Sequence, residues 1–201
     1  MFTGIVTDVG SIREITKLGD TRFEIETGYN VEEIDIGSSI ACSGPCLTVV
    51  EKGKGWFAVE VSSETLAKTT LKDWTVGTKI NLERSMRVGD ELGGHIVSGH
   101  IDTVISVLEQ KPEGDSTRII FEYPPEYKRY IASKGSVSLN GVSLTINEVG
   151  ENFFGVNVIS HTQKVTSFGS LEPGDRVNME IDTIARYVAR LLERDGNIGG
   201  Q

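Results

Sequence analysis

The stretch Ser39-Ile40-Ala41-Cys42-Ser43-Gly44-Pro45-Cys46-Leu47-Thr48-Val49 decides the fold, because the chain writes it twice. Set above Ser136-Val137-Ser138-Leu139-Asn140-Gly141-Val142-Ser143-Leu144-Thr145-Ile146, it aligns without a gap at a constant offset of 97 residues. The alignment continues unbroken to Glu83 and Glu180. Of its 45 pairs 15 are identical, among them Gly44 with Gly141, Thr48 with Thr145, Phe57 with Phe154 and Asn81 with Asn178. The starts match at a slightly smaller offset, with T-G-I-V-T-D-V from Thr3 lying over S-G-H-I-D-T-V from Ser98. A repeat this long exceeds a solenoid unit and is near the size of a small domain, so the reading is two tandem copies. The boundary falls near the G-G-H-I-V-S-G-H stretch from Gly93, giving expected units at residues 1–97 and 98–181, with 182–201 left over.

Each copy reads as short strands. Phe23 to Ile25, Ser39 to Cys42, Trp56 to Val61 and Lys79 to Glu83 are rich in β-branched or aromatic residues, and glycine-containing turns punctuate them. About six strands per copy without alternating helices predict a small antiparallel barrel. The expected class is therefore all-β: two tandem antiparallel six-stranded Greek-key β-barrels related by internal duplication, plus a C-terminal α-helix. One helical piece interrupts each copy, capped in the first by Ser62 or Ser63 and occupying H-T-Q-K-V-T-S-F in the second. The final segment has no duplicate. Asp182 or Thr183 suits its N-cap, Ile184, Tyr187, Val188, Leu191 and Leu192 recur at helical spacing, and Gly196 suits its end. Such a stripe must be buried, either on its own barrel or against other copies of the chain, and self-association is the expectation.

Composition narrows the function. The 201 residues carry a formal charge of −9, which disfavours nucleic acid and anionic membranes as partners. No run approaches the roughly 18 apolar residues of a spanning helix, and the M-F-T-G-I-V start lacks the features of a secretory signal, so a cytoplasmic location is expected. Two cysteines, Cys42 and Cys46, rule out a disulfide framework. His95, His100 and His161 make no metal-binding spacing, and neither G-x-G-x-x-G after a strand nor a P-loop is present. No metal and no cofactor are expected.

Five motifs in order carry a resemblance: the M-F-T-G-I-V start, C-L-T-V from Cys46, G-G-H-I-V-S-G-H-I-D at the junction, N-G-V-S-L-T-I from Asn140 and I-S-H-T from Ile159. Over nearly the whole chain the sequence resembles the riboflavin synthase family of the trimeric, alpha-subunit type. The resemblance implies a dismutation in which two molecules of 6,7-dimethyl-8-ribityllumazine exchange a four-carbon unit. The products are riboflavin and 5-amino-6-ribitylamino-2,4-pyrimidinedione, and no added cofactor is used. It implies a homotrimer in which the first barrel of one subunit faces the second barrel of the next, so that each active site holds two lumazines. Association with lumazine synthase is compatible with the family and undecided by these residues.

Carried across residue by residue, the resemblance assigns to the first-barrel pocket Gly4, Ile5 and Val6, then Cys46, Leu47 and Thr48, then Glu60, Val61, Ser62, Ser63, Glu64 and Thr65. To the second it assigns Gly99, His100 and Ile101, then Ser143, Leu144 and Thr145, then Asn157, Val158, Ile159, Ser160, His161 and Thr162. Lys134 matches a position that reaches into a neighbouring subunit's pocket, and Asp182 reads as either a helix cap or a pocket carboxylate. The catalytic candidates are His100, Ser143, Thr145 and Cys46. Differences between the copies matter most, since one lumazine donates carbons and the other accepts them. His100 replaces Ile5 and Ser143 replaces Cys46. The expectation is that His100, with Ser143 and Thr145, moves protons at the second-barrel lumazine while Cys46 and Thr48 contact the first.

Plainer readings stand beside these. Cys46 equally suits a small apolar wall residue, and Cys42 a core position. The hydroxyls of Ser143 and Thr145 could bond to local backbone. His95 reads as a structural residue of the junction, and His161 as either a ribityl contact or an exposed cap. Ser43 and Pro45 stand where the family has Asn and Val, and Ser63 and Ser160 where proline is common, which puts loop geometry in question. The alternative function is a non-catalytic lumazine- or flavin-binding protein of the same fold. A flavin-dependent reductase would need a nicotinamide domain and an R-x-Y-[ST] motif that the sequence lacks.

Overall fold

The computed structural model describes residues 1–195 and contains two closed six-stranded antiparallel barrels followed by a helix. The first barrel consists of β1 (Asp8–Leu18), β2 (Asp20–Glu26), β3 (Ser39–Cys42), β4 (Cys46–Gly53), β5 (Trp56–Val61) and β6 (Lys79–Arg84), closed in the order β1-β2-β5-β4-β3-β6. The second repeats it with β7 (Thr103–Glu113), β8 (Ser116–Glu122), β9 (Ser136–Leu139), β10 (Val142–Val149), β11 (Phe153–Val158) and β12 (Arg176–Ile181), in the same cyclic order. Closure leaves no sheet edge to pair with other chains.

Side-chain alternation fills each barrel. Ile12, Ile25, Val49, Phe57 and Ile80 are buried in the first, and Phe121, Ile146, Phe154 and Val177 in the second. Each such side chain contributes about 1.5–3 kcal/mol on burial, and the Phe121–Phe154 rings stack at 5.7 Å. The barrel interiors are filled by these packed cores.

The barrels meet about an approximate two-fold axis, visible as reciprocal hydrogen bonds. Asn81 Nδ2 donates to the Asn140 carbonyl and Asn178 Nδ2 to that of Ser43, both at 2.9 Å. Asn81 Oδ1 in turn accepts from Ser167 N, and Asn178 Oδ1 from Thr70 N. These buried amides are satisfied only when both copies are present. Phe2 and Val97 pair across the axis by two main-chain bonds, at 2.8 and 3.0 Å, with Ala41 and Cys46 packed against them.

The questioned loop keeps its shape. Ser43 and Asn140 both adopt positive φ, 48° and 46°. Ser43 Oγ accepts from Asn81 N at 3.1 Å as Asn140 Oδ1 accepts from Asn178 N at 2.8 Å. Serine thus does the work of asparagine with a shorter side chain. Ser63 and Ser160 open α1 (Ser63–Lys68) and α2 (Ser160–Val165), a first helical position that suits serine and proline alike.

Beyond β12, α3 (Thr183–Asp195) starts on Asp182, whose carboxylate accepts from Ile184 N at 2.9 Å. Arg186 ties it to Asp102 at 2.9 Å, and Arg129 pairs with Glu193. Its stripe of Ile184, Tyr187, Val188, Leu191 and Leu192 remains 50–67% exposed, so it is not buried on its own barrel. The expected Gly196 terminator lies outside the described residues.

Candidate active site

The ladder between β4 and β5 ends at Val49–Val59 after a bulge, although β4 continues to pair with β3 and β5 with β2. A notch therefore opens between Cys46–Thr48 and Glu60–Ser62, with α1 at its mouth. The second barrel repeats it: the β10–β11 ladder stops at Ile146–Val156, and Ser143–Thr145 part from Asn157–Ile159 in front of α2. Where a ladder parts, main-chain donors and acceptors become free for a ligand. Of the candidates, Cys46–Thr48 with Glu60–Thr65 border the first notch and Ser143–Thr145 with Asn157–Thr162 the second.

Strand alternation sorts them. Cys46, Thr48 and Glu60 face outward in the first barrel, as do Ser143, Thr145 and Asn157 in the second. Leu47, Val61, Leu144 and Val158 point into the cores and are buried, so they offer a ligand main chain only. Ser62, Ser63, Glu64, Ile159, Ser160 and His161 are exposed at the helix starts, with Thr65 and Thr162 partly so. Ser62 caps α1 by accepting from Thr65 N, whereas the cap position of α2 is Ile159 and carries no side-chain bond. His161 is therefore not a cap. Asp182 is one, and its charge also reaches His95.

The leading segments are not grouped as expected. Gly4, assigned to the first pocket, lies against the second: its carbonyl accepts from Ser143 N at 2.8 Å, and Val6 packs on the second core. Gly99 lies against the first, accepting from Cys46 N at 2.9 Å, with the Ile101 side chain beside Gly44. The Phe2–Val97 pairing on the axis forces this crossing, because each arm emerges from it against the opposite barrel. Both glycines have positive φ, 77° and 81°. A Cβ on Gly4 would stand 2.5 Å from that of Ser143, and one on Gly99 2.5 Å from that of Cys46. A side chain at either position would thus both strain and separate the seam.

The crossing also corrects the expected partner of Ser143. His100 is exposed and follows Gly99 on the Cys46 side. The histidine that reaches Ser143 is His95, with Nδ1 2.7 Å from the Ser143 Oγ. That hydroxyl is thus engaged by an imidazole, not by local backbone. Burial holds the His95 pKa below its ordinary 6.5, against the opposing pull of Asp182 and Glu180, so the ring is neutral and able to accept a proton near pH 7. Its buried Nε2 has no partner among the described residues. The sequence signal for His95 was available: it sits in the linker and has no duplicate.

Cys46 is half-buried beside Phe2, Ala41 and Val97, the setting of a wall residue, and burial drives the core Cys42 thiol upward. Lys134 is exposed with a φ of 68°, where the first copy has Gly37 at 89°. Both residues donate to the equivalent carbonyl, of Ile146 and Val49 respectively, at 2.7 Å.

A family model described as lumazine binding domain matches residues 3–85 and 98–182, one match per barrel. The chain is 50% identical over 199 residues to the riboflavin synthase of Brucella abortus (strain 2308), covering 96% of this chain and 98% of that one. The chain belongs to the riboflavin synthase family. A riboflavin synthase from Bacillus subtilis (strain 168) is 36% identical to it, with 96% and 91% covered. This riboflavin synthase family member is also similar to the crystal structure of LumP complexed with 6,7-dimethyl-8-(1'-D-ribityl) lumazine. That likeness has a TM-score of 0.81 and 28% identity, with 90% of this chain and 99% of that chain covered.

Proposed function

We propose that this member of the riboflavin synthase family catalyses the dismutation of two 6,7-dimethyl-8-ribityllumazine molecules to riboflavin and 5-amino-6-ribitylamino-2,4-pyrimidinedione. The carrying observation is the pair of equivalent notches with unlike seam residues, Cys46 in one and Ser143 with His95 in the other. Two identical substrates in different roles need such a pair. The lumazine ring is electron-poor and its C7 methyl protons are acidic, so the protein's task is to take up a proton and stabilise a delocalised anion with main-chain N–H groups and hydroxyls. In the second notch, neutral His95 accepts the Ser143 proton as Ser143 Oγ draws one from the methyl group. The first notch, with Thr48, Cys46 and the neighbouring His100, holds the other lumazine. Orientation supplies much of the rest, since aligning two reactants is worth about 7–11 kcal/mol of barrier.

Residues 1–97 and 98–181 then form the two lumazine-binding units. The exposed α3 stripe assembles three copies, so that a first-barrel notch meets a second-barrel notch of the neighbour. A groove of 580 Å³ between α3 and the turn at Pro125–Tyr130, lined by Tyr130, Val188 and Leu192, supports that assembly. Lys134, held in a strained conformation on an exposed turn, reaches across to the neighbour's lumazine. Among the described residues no helix is long and apolar enough to cross a membrane, which is compatible with a cytoplasmic enzyme.

Incubating the purified protein with the lumazine tests the reading. Riboflavin absorbance should rise with equimolar pyrimidinedione. Tight binding without turnover would instead support a chromophore-binding protein, the reading to which the likeness to LumP lends itself.

A further inference from the structure

Two buried carboxylates, Glu83 on β6 and Glu180 on β12, occupy equivalent positions, and among the described residues neither makes a salt bridge. Each is saturated instead by the main chain of a crossing arm. Glu83 accepts from Thr3 N at 2.7 Å, Thr3 Oγ1 at 2.8 Å and Gly4 N at 3.0 Å. Glu180 accepts from Ser98 N and Oγ, both at 2.7 Å, Gly99 N at 2.8 Å and His100 N at 3.0 Å. Hydrogen bonds to a carboxylate are roughly twice as strong as neutral ones, and at Glu83 burial raises the pKa while the bonds from Thr3 and Gly4 oppose it by favouring the carboxylate.

The same arm residues carry the reactive groups on their other side. The Thr3 carbonyl accepts from His95 N at 3.1 Å and the Gly4 carbonyl from Ser143 N at 2.8 Å. A continuous chain thus runs from the Glu83 carboxylate through the peptides of Thr3 and Gly4 to both members of the Ser143–His95 pair. The equivalent chain runs from Glu180 through Gly99 to Cys46 N, and directly to His100 N.

We propose that each buried glutamate is a positioning residue for the opposite barrel's site: Glu83 of the first barrel sets the Ser143–His95 pair of the second, and Glu180 of the second sets Cys46 and His100 of the first. The duplicated barrels are then coupled crosswise, and the proposal rests on Ser143 and His95 being the proton-transfer pair. Replacing Glu83 by Gln exchanges one acceptor oxygen for an NH2 that meets the arm's N–H groups donor to donor, so the arm shifts and the pair with it.

The test is a double-mutant cycle on the full-length protein, with lumazine affinity read by fluorescence titration and turnover by riboflavin formation. E83Q should lower kcat by about 10- to 100-fold, the cost of a displacement near 1 Å at a reacting group, with lumazine affinity changed less than about threefold. Combined with Ser143→Ala, E83Q should add less than about twofold, because the group it positions is already gone; combined with Cys46→Ala its effect should persist in full. E180Q should show the reverse pattern, its effect surviving Ser143→Ala and shrinking in the His100→Gln background. Should E83Q fail to fold, Thr3→Val, which removes one of the three bonds and leaves the carboxylate in place, should give a smaller loss with the same coupling to Ser143. Wild-type kcat in E83Q, or losses that add fully with Ser143→Ala, would overturn the crosswise assignment. If the unaltered protein bound lumazine and made no riboflavin, the functional reading itself would fall, a result distinguishable from either.

Discussion

At Cys46 and Ser143 the two barrels present the same main chain in different company. Each residue lies at the start of a strand beside a notch, donates its N–H to an arm glycine and is backed, through that arm, by a buried glutamate. Cys46 rests on Phe2, Ala41 and Val97, while Ser143 holds an imidazole. The duplicated main chain builds two equivalent seats, which become unequal through Cys46 against Ser143 and through the unduplicated linker that delivers His95 to one.

That comparison can be broken most directly at the two seam residues. Ser143→Ala should lower riboflavin formation by about 10²- to 10⁴-fold, the usual contribution of acid–base catalysis, whereas Cys46→Ala should cost less than about tenfold. Equal losses in steady-state assays would erase the distinction. His95 sharpens it through pH. Because burial depresses its pKa, the unfolded chain takes up a proton at His95 before the folded chain does. Its contribution to stability is therefore present above pH 6.5 and is lost as the pH falls through the lower folded value. Turnover should decline over that same acidic window, and His95→Gln should flatten this limb of the profile while lowering the plateau.

Smaller differences should register in stability. Lys134 occupies a left-handed position that the first barrel gives to Gly37, so Lys134→Gly should raise stability by about 1 kcal/mol in urea unfolding. Its riboflavin formation should fall, if the side chain serves a neighbour. Ile159 stands where Ser62 caps α1, and Ile159→Ser should gain about 0.5–1 kcal/mol by supplying the missing bond to α2.

The fold was legible because duplication states it twice. Strands at Ser39–Cys42 and Trp56–Val61, the capped α1 and the apolar stripe after Asp182 all lie where local pattern places them. The notches were legible as lists of residues, since parted strands keep their sequence neighbours. What sequence did not reveal was which arm lies on which barrel. The assignment depends on the Phe2–Val97 pairing, made between residues far apart in the chain and leaving no periodic trace. The same error moved His100 to Ser143 and left His95 as a structural residue. Beside the exchanges of Cys46 for Ser143 and Ile5 for His100, a histidine without a duplicate was a further clue to the asymmetry.

The arms also bear on how the molecule would respond to a cut. Residues 85–94 pass along the exterior as an exposed or half-exposed connection, while the grip between the halves is made by Phe2 with Val97, Gly4 with Ser143, Gly99 with Cys46 and the asparagines on the axis. A protease that severs the peptide between Arg87 and Asp90 would therefore produce two fragments on a denaturing gel and one particle in native solution, each half still clasping the other.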